Sequence, residues 1–258
     1  MEKIWKWNKE KIGVMGHRGC CGYMPENTII SFKEAFRLGV DVVEFDVHAT
    51  RDGELVVIHD SMVDRTTNGT GAVNFMTLEQ IKSLDAGVKY GYPNQTIPTL
   101  RETLECIVEF APKEMLIDLE IKDQRPYVVD KTIEMLKEFN LLDKTIFDSF
   151  DGQTLLYIKN EYPFVRYHLQ PPCRMDRFDE SLFENALALA IPIHRFSDEE
   201  IQEHIDLAKK HNLEAWGYIT DSLELIERAL KFEITNLTAN DPRLLIEYLD
   251  KNNIRCEK

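Results

Sequence analysis

Residues 12–47 decide the fold and read IGVMGHRGCCGYMPENTIISFKEAFRLGVDVVEFDV. An apolar run at 12–15 leads into a polar loop, which is followed by apolar residues at helical spacing that stop before Gly39. Asn27 or Thr28 is placed to cap this helix. A β-branched and aromatic run then predicts a second strand. Strand, helix and strand in this order form the unit that builds parallel sheets.

The rest of the chain repeats this alternation after one interruption. Residues 51–98 are rich in turn signals and predict a small cap inserted after the second strand. Beyond them, the strand candidates, each followed by a helix candidate, are 115–122, 145–149, 165–169, 187–193, 213–219 and 234–238. The total of eight strands predicts an α/β fold, a TIM (β/α)8 barrel that spans 1–258 as a single domain.

Composition narrows the possible partners. The 258 residues carry 31 basic and 45 acidic side chains, a net charge of -14, which argues against binding to nucleic acid. No apolar run approaches the length of a membrane span, and residues 1–17 contain no signal-peptide core, so we expect no stable membrane insertion and a cytoplasmic location. Five cysteines without a framework spacing fit a reducing compartment. The oligomeric state is left open.

Two acidic residues on the second strand are the first candidate site. Glu44 and Asp46 are two positions apart, so in a strand they project from the same face. Adjacent carboxylates repel each other unless a positive group lies between them. With no Cys-His ligand pattern nearby, a hard divalent cation, Mg²⁺ or Ca²⁺, fits better than a soft metal. The alternative is an exposed strand face that carries two solvated acids.

Two histidines follow apolar runs on either side of this pair. His17 and Arg18 come after the run at 12–15, and His59 comes after the strand-like run at 55–58. Histidine titrates nearest to neutral pH, and arginine offers a planar fork for phosphate oxygens. A single histidine after a strand is usually a surface or hydrogen-bonded residue. Two of them beside an acidic pair indicate a catalytic site.

The order and spacing of short motifs carry a family resemblance over most of the chain. The motifs are HRG at 17–19, PENT at 25–28, EFD at 44–46, HD at 59–60, RTT at 65–67, LEIK at 119–122 and NDP at 240–242. With these motifs the chain resembles the glycerophosphodiester phosphodiesterase family. The matches are dense in the first half of the chain and sparse in the second.

The resemblance implies roles for the matching residues. It implies that one divalent cation, Mg²⁺ or Ca²⁺, is held by Glu44, Asp46 and Glu120. It also implies that His17 and His59 act as general acid and base, one on each side of a phosphodiester. Arg18 would clamp a phosphate oxygen and Lys122 would add a second positive charge. For Lys122 the alternative is a structural ion pair with Asp118 or Glu120.

Part of the second half departs from the family pattern. Where the family often has Trp-Thr-Val-Asn, this chain has Trp216 followed by Gly-Tyr-Ile, and Trp216 is either an aromatic pocket wall or a core residue. Residues 168–178 match no motif of the family, and Arg174 and Arg177 within them face either the site or solvent. His48 and His194 are expected to be structural.

The resemblance implies hydrolysis of small-molecule glycerophosphodiesters such as glycerophosphocholine or glycerophosphoethanolamine to glycerol 3-phosphate and an alcohol. Direct attack by water and formation of a cyclic phosphate use the same groups, so both routes stay open. A second hypothesis is a lipid head-group phosphodiesterase similar to sphingomyelinase D. A third is a non-catalytic barrel that only binds phosphodiesters.

Overall fold

The computed structural model describes residues 11–256, and the expectation about a leader segment falls largely outside this range. The described residues form eight parallel strands at the centre of the molecule and one short antiparallel strand beside them. The strands are β1 Gly13–Gly16, β2 Val42–Ala49, β3 Leu55–Val57, β4 Leu116–Ile121, β5 Thr145–Asp148, β6 Arg166–Tyr167, β7 Ala188–Pro192, β8 Glu214–Tyr218 and β9 Asn236–Ala239.

The parallel strands curve into a nearly closed barrel. They follow one another in the order β6-β5-β4-β2-β1-β9-β8-β7. The two end strands meet through Leu169, whose amide donates to the carbonyl of Ala188 at 2.9 Å and whose carbonyl accepts from Ala190 at 2.8 Å. The predicted eight-stranded TIM barrel is therefore confirmed, with the strand ends within a few residues of the predicted ones.

Helices surround this barrel, and one short helix lies in the insertion after β2. They are α1 Ile29–Leu38, α2 Leu78–Lys82, α3 Leu100–Phe110, α4 Pro126–Glu138, α5 Gly152–Glu161, α6 Asp198–Lys210, α7 Leu223–Ala229 and α8 Pro242–Lys251. Both predicted ends of α1 are confirmed, because the Thr28 side chain caps its first turn and Gly39 takes the left-handed conformation with φ +71°. No helix within residues 11–256 combines the length and apolar character needed to cross a membrane.

One helix prediction is wrong. After β6 the chain forms two short 3₁₀ segments, Pro172–Arg174 and Glu180–Glu184, where an α-helix was expected. Pro171 and Pro172 have no amide hydrogen to donate, and Arg177 has φ +50°, a conformation that ends a helical turn. The segment after β6 is therefore an irregular loop at the carboxyl end of the barrel.

The two faces of β2 separate core from site. Val43, Phe45 and Val47 belong to the main hydrophobic core, and the Phe45 ring lies 5.8 Å from Phe32 of α1. Glu44 and Asp46 point to the other side, into the barrel. Below them, an apolar layer fills the barrel interior and consists of Met15, Val42, Leu116, Ile146, Ala188 and Trp216. The polar groups of the interior rest on this layer.

The insertion at 51–98 contains β3, α2 and two short 3₁₀ turns. It has a small apolar core of its own, made of Val56, Ile58, Val63, Val73, Ile81, Ala86 and Ile97. Because β3 pairs with the end of β2, the insertion borders the carboxyl end of the barrel. It places His59 there, directly after the β3 region.

Candidate active site

A cavity of about 360 Å³ opens at the carboxyl end of the barrel. This volume is in the range of small-molecule binding sites. Six of the eight predicted site residues line it: His17, Arg18, Glu44, His59, Glu120 and Trp216. Asp46 and Lys122 lie directly behind this lining, in contact with it through the Lys122–Glu120 ion pair.

The three predicted metal ligands lie together. Glu44, Asp46 and Glu120 each offer a carboxylate oxygen, these oxygens lie within 4.8 Å of one another, and all three side chains are buried. The sheet register sets this proximity, because Asp46 on β2 pairs directly with Glu120 on β4. Burial followed by repulsion from Asp46 raises the pKa of Glu44, and burial raises the pKa of Glu120 to about 8. Oxygen donors that repel one another fit a hard divalent cation.

Two cations hold the third acid ionised. The Lys122 Nζ lies 3.2 Å from Asp46 Oδ1 and 2.5 Å from Glu120 Oε1, and the Arg18 Nε lies 3.5 Å from Asp46 Oδ2. Burial opposes ionisation of Asp46, but Lys122 and Arg18 outweigh it and keep its pKa below the usual range. Lys122 thus forms an ion pair with Glu120, which was one of the alternatives expected from the sequence. It also lies close to Asp46.

His17 is held in one tautomer. Its Nδ1 lies 2.6 Å from Asn240 Oδ1, and the Asn240 amide nitrogen donates to Asp221 at 2.6 Å, which fixes the amide orientation. Since an amide oxygen only accepts, the imidazole proton is on Nδ1. Nε2 then faces the acid cluster, 3.9 Å from Glu44. Burial, followed by the charge of Arg18, lowers the pKa of His17 to about 4, so the ring is neutral with a free lone pair on Nε2.

His59 has a different partner. Its Nδ1 lies 2.6 Å from Asp60 Oδ1, and Asp60 in turn accepts from Arg65 Nε at 2.6 Å. Burial lowers the pKa of His59. The hydrogen bond from Arg65 lowers the pKa of Asp60 to about 2, so this carboxylate stays negative and supports a positive charge on the neighbouring imidazole. The partner of His17 is thus a neutral amide, and the partner of His59 is an anionic carboxylate.

The Pro25–Thr28 loop connects the barrel to the insertion. Glu26 accepts from Arg18 at 3.0 Å and from Arg65 at 2.6 Å, and Asn27 donates its side-chain amide to Asp46 at 2.8 Å. Sequence reasoning gave Glu26 and Asn27 no place in the site, although both belong to the PENT motif. The motif was used for the family resemblance, and Asn27 was considered only as a helix cap.

The sequence predicted few of the residues that line the cavity at the ends of β5 to β8. His168 lies between Asp118 and Asp148, with Nε2 at 3.2 Å and 3.6 Å from their carboxylates. Burial works against its protonation, but Asp148 and Asp118 outweigh it and raise the pKa of His168 to about 10. Gln170 donates to Asp148 at 2.7 Å and accepts from Tyr218 at 2.9 Å. A charged imidazole thus balances two acids beneath the cavity.

Four undecided or structural residues now have definite places. Trp216 is both a pocket wall and a core residue, because it lines the cavity and packs in the apolar layer. Its ring lies 5.2 Å from that of His168. Arg174 lines the cavity, whereas Arg177 pairs with Asp151 outside it. His194 also lines the cavity, and its Nδ1 accepts from the backbone N–H of Ile219 at 2.9 Å, a contact of the structural kind that was expected.

His48 lies where a structural histidine was expected. Its Nε2 is 3.1 Å from the carbonyl oxygen of His59, and it does not line the cavity. Burial lowers its pKa. A neutral ring can donate to this carbonyl and so supports the backbone at the catalytic histidine candidate.

Comparison with known proteins gives the family. The model of the glycerophosphoryl diester phosphodiesterase family matches residues 17–244, which is most of the chain. The chain belongs to this family. The resemblance and the enzyme class predicted from the sequence motifs are confirmed.

Relatives of this phosphodiesterase family match over nearly their full length. A glycerophosphodiester phosphodiesterase from Caldanaerobacter subterraneus subsp. tengcongensis is 38% identical over 244 residues, covering 92% of this chain and 98% of the relative. Another from Bacillus subtilis (strain 168) is 30% identical over 255 residues, covering 91% of this chain and 85% of the relative.

A solved structure of a family member adds a bound product. A phosphodiesterase from Oleispira antarctica, in complex with sn-glycerol-3-phosphate, superposes with a TM-score of 0.81 at 26% identity, covering 93% of this chain and 97% of that one. The similarity thus extends from the motifs of the first half to the whole barrel.

Proposed function

We propose that the chain hydrolyses glycerophosphodiesters with one divalent cation, Mg²⁺ or Ca²⁺, held by Glu44, Asp46 and Glu120, and with His17 and His59 as general base and acid. One observation carries this proposal. A neutral histidine nitrogen lies 3.9 Å from a buried cluster of three carboxylates, at the carboxyl end of a TIM barrel. The glycerol 3-phosphate bound by the Oleispira antarctica relative supports the product class.

The charged residues at the acid cluster position the phosphodiester. When bound, the cation supplies charge neutralisation at the phosphorus-bound oxygens. The Arg18 guanidinium offers N–H donors for a non-bridging oxygen, and its orientation is fixed by Glu26 at 3.0 Å. Lys122, locked between Asp46 and Glu120, adds a positive charge that needs no reorganisation during the reaction.

The two histidines move the protons. His17 is neutral with Nε2 free, so it accepts a proton from the attacking hydroxyl, which belongs either to water or to the substrate's own glycerol. The Nδ1 of His59 lies 2.6 Å from the ionised carboxylate of Asp60. This arrangement stabilises the imidazolium that is needed to protonate the leaving alcohol. The unequal partners, an amide for His17 and a carboxylate for His59, support this division of roles.

Product analysis by ³¹P NMR tests the proposal. We expect glycerophosphoethanolamine to give glycerol 3-phosphate and ethanolamine. Cleavage of sphingomyelin or lysophospholipid micelles, without cleavage of the deacylated substrate, would replace the proposal with the lipid head-group hypothesis. Binding of the diester without turnover at any pH or with any added cation would favour the non-catalytic barrel.

Three further properties are part of the proposal. We infer that residues 1–258 act as one barrel domain that includes the insertion at 51–98. The acidic net charge of -14 supports a small-molecule substrate and argues against nucleic acid as a partner. The five cysteines of the described chain are all unpaired, which supports a cytoplasmic location.

A further inference from the structure

Two arginines lie on the cavity wall that the proposed mechanism does not use. Arg174 follows β6 and Arg195 follows β7, and both line the same cavity as the acid cluster. We refer to this pair as the wall arginines. Arg174 is half-buried and Arg195 is exposed at the mouth.

The wall arginines differ from most other arginines of the molecule in their partners. Arg18, Arg65 and Arg177, for example, each lie within 4.0 Å of a carboxylate. Within residues 11–256, no carboxylate lies that close to either wall arginine. Arg174 donates to the hydroxyl of Tyr218 at 2.7 Å, and the Arg195 Nε lies 3.0 Å from the Nε2 of His194.

Both of these partners are uncharged. The His194 ring is neutral, because its Nδ1 accepts from the backbone N–H of Ile219 at 2.9 Å and because burial lowers its pKa, followed by the charges of Arg195 and Arg174. Each guanidinium has five N–H donors, and the described residues accept at most one from each. The positive charge of the pair is therefore not balanced locally by a direct ion pair.

The nearest acids are already engaged. Gln170 separates Arg174 from Asp148, because its amide donates to Asp148 at 2.7 Å and its oxygen accepts from Tyr218 at 2.9 Å. Asp148 also faces the positive His168 at 3.6 Å. On the side of His194, Asp221 accepts from the backbone and side chain of Asn240.

Phe150 shows how close Arg174 is to the reaction centre. The centre of its ring lies 5.7 Å from the Lys122 Nζ and 5.6 Å from the guanidinium carbon of Arg174. Arg174 is therefore one aromatic ring away from the lysine that contacts Asp46 and Glu120. A diester whose phosphate lies at the acid cluster therefore has room to place one of its two ends at this wall.

We propose that the wall arginines, with Tyr218, form the alcohol subsite and select head groups that carry an anionic group, a carboxylate or a second phosphate. This inference rests on the proposed function. Guanidinium groups form strong, often bidentate, charge-assisted hydrogen bonds with such anions. A head group that ends in an ammonium alone meets two positive charges at the same place.

Glycerophosphoserine and glycerophosphoethanolamine test this subsite, because they differ by one carboxylate. We expect kcat/KM of the wild-type enzyme to be about 10-fold higher for glycerophosphoserine, the size of one charge-assisted hydrogen bond in a partly exposed site. The ratio should fall towards one in Arg174→Gln and Arg195→Gln. It should also fall as salt rises, because the site is open to solvent. Arg177→Gln, on the same loop but outside the cavity, should keep the wild-type ratio.

A binding measurement separates this inference from the proposed chemistry. Calorimetric titration of His17→Ala in Mg²⁺ with each diester should show the same preference without turnover. Equal affinities and equal kcat/KM values for the two diesters would overturn the subsite and leave the proposed hydrolysis intact. A binding preference that depends on Arg174, in an enzyme that cleaves neither diester, would keep the subsite and refute the proposed hydrolysis.

Discussion

The two walls of the cavity are built in different ways. The wall on β1, β2 and β4, with the insertion, combines consecutive motif residues that pair with one another, such as Arg18 with Glu26 and Lys122 with Glu120. The wall on β5 to β8 consists of single residues from separate strand ends, such as His168, Arg174 and Tyr218. Under the two proposals above, the reaction chemistry lies in the first wall and the choice of alcohol in the second.

Substitution of the histidines tests the first wall with the largest expected effect. His17→Ala and His59→Ala should each lower kcat by about 10³-fold, since general acid or base catalysis contributes 10²–10⁴-fold. Diester binding, measured by calorimetry, should be kept. His204→Ala, on α6 and outside the cavity lining, is the control and should match the wild type. Full activity in both site variants would show that these two histidines do not catalyse the reaction.

Asn240 tests whether the position of His17 matters as well as its presence. Asn240→Ala removes the acceptor that holds the proton on Nδ1, so kcat should fall by about 10–100-fold with little change in KM. The acid limb of the pH–rate profile should also change, because the hydrogen bond to Asn240 raises the pKa of His17.

Cys21 provides the matched control for Asn240. Its thiol also donates to Asn240 Oδ1, at 3.0 Å, and lies 3.6 Å from His17 Nδ1. Cys21→Ala should therefore keep kcat within about twofold of wild type, the size of effect expected for a weak donor. If Asn240→Ala also kept the wild-type kcat and pH profile, the amide would be only a structural neighbour.

His168 tests the second wall through stability, with a smaller effect. Its pKa of about 10 in the folded protein lies above the ordinary 6.5, so its stabilisation is complete below about pH 6.5 and is lost as pH rises towards 10. Between pH 7 and pH 9 this loss is about 2 kcal/mol. Urea unfolding in EDTA should show the decline in the wild type and a flatter profile in His168→Gln.

Glu120 also affects stability with the same sign, in a pH range that overlaps the lower part of the His168 range. Its pKa of about 8 lies above the ordinary 4.5, so stability is also lost between these values as pH rises. The difference between the wild type and His168→Gln isolates the contribution of the imidazolium. Equal slopes in the two proteins above pH 8 would show that His168 is not charged in the folded state.

The same contrast explains how much could be predicted from the sequence. The periodicity of residues 12–47 and the count of strand-like runs gave the barrel, because each strand and helix has a local pattern. Glu44, Asp46, His17 and His59 were predicted because short-range spacing fixes which face of a strand, or which strand end, they occupy.

The second wall has no such local signal. His168 meets Asp118 across 50 residues of chain, and Arg174 meets Tyr218 across 44, so only the closed barrel brings them together. The loop after β6 was predicted to be a helix because its overall composition is unremarkable. Its prolines and the left-handed conformation of Arg177 prevent a regular helix there. Asn240 was in a recognised motif, but only the structure shows that it holds His17.

Metal dependence is the most direct test of the central claim. Release of glycerol 3-phosphate from glycerophosphoethanolamine is measured for the wild type after EDTA treatment, with add-back of Mg²⁺ or Ca²⁺, and for Glu44→Gln and Glu120→Gln. Because the three buried carboxylates lie within 4.8 Å of one another, we predict that EDTA abolishes release, that one cation restores it, and that neither variant recovers. Undiminished release in EDTA, or full activity in both variants, would contradict the account.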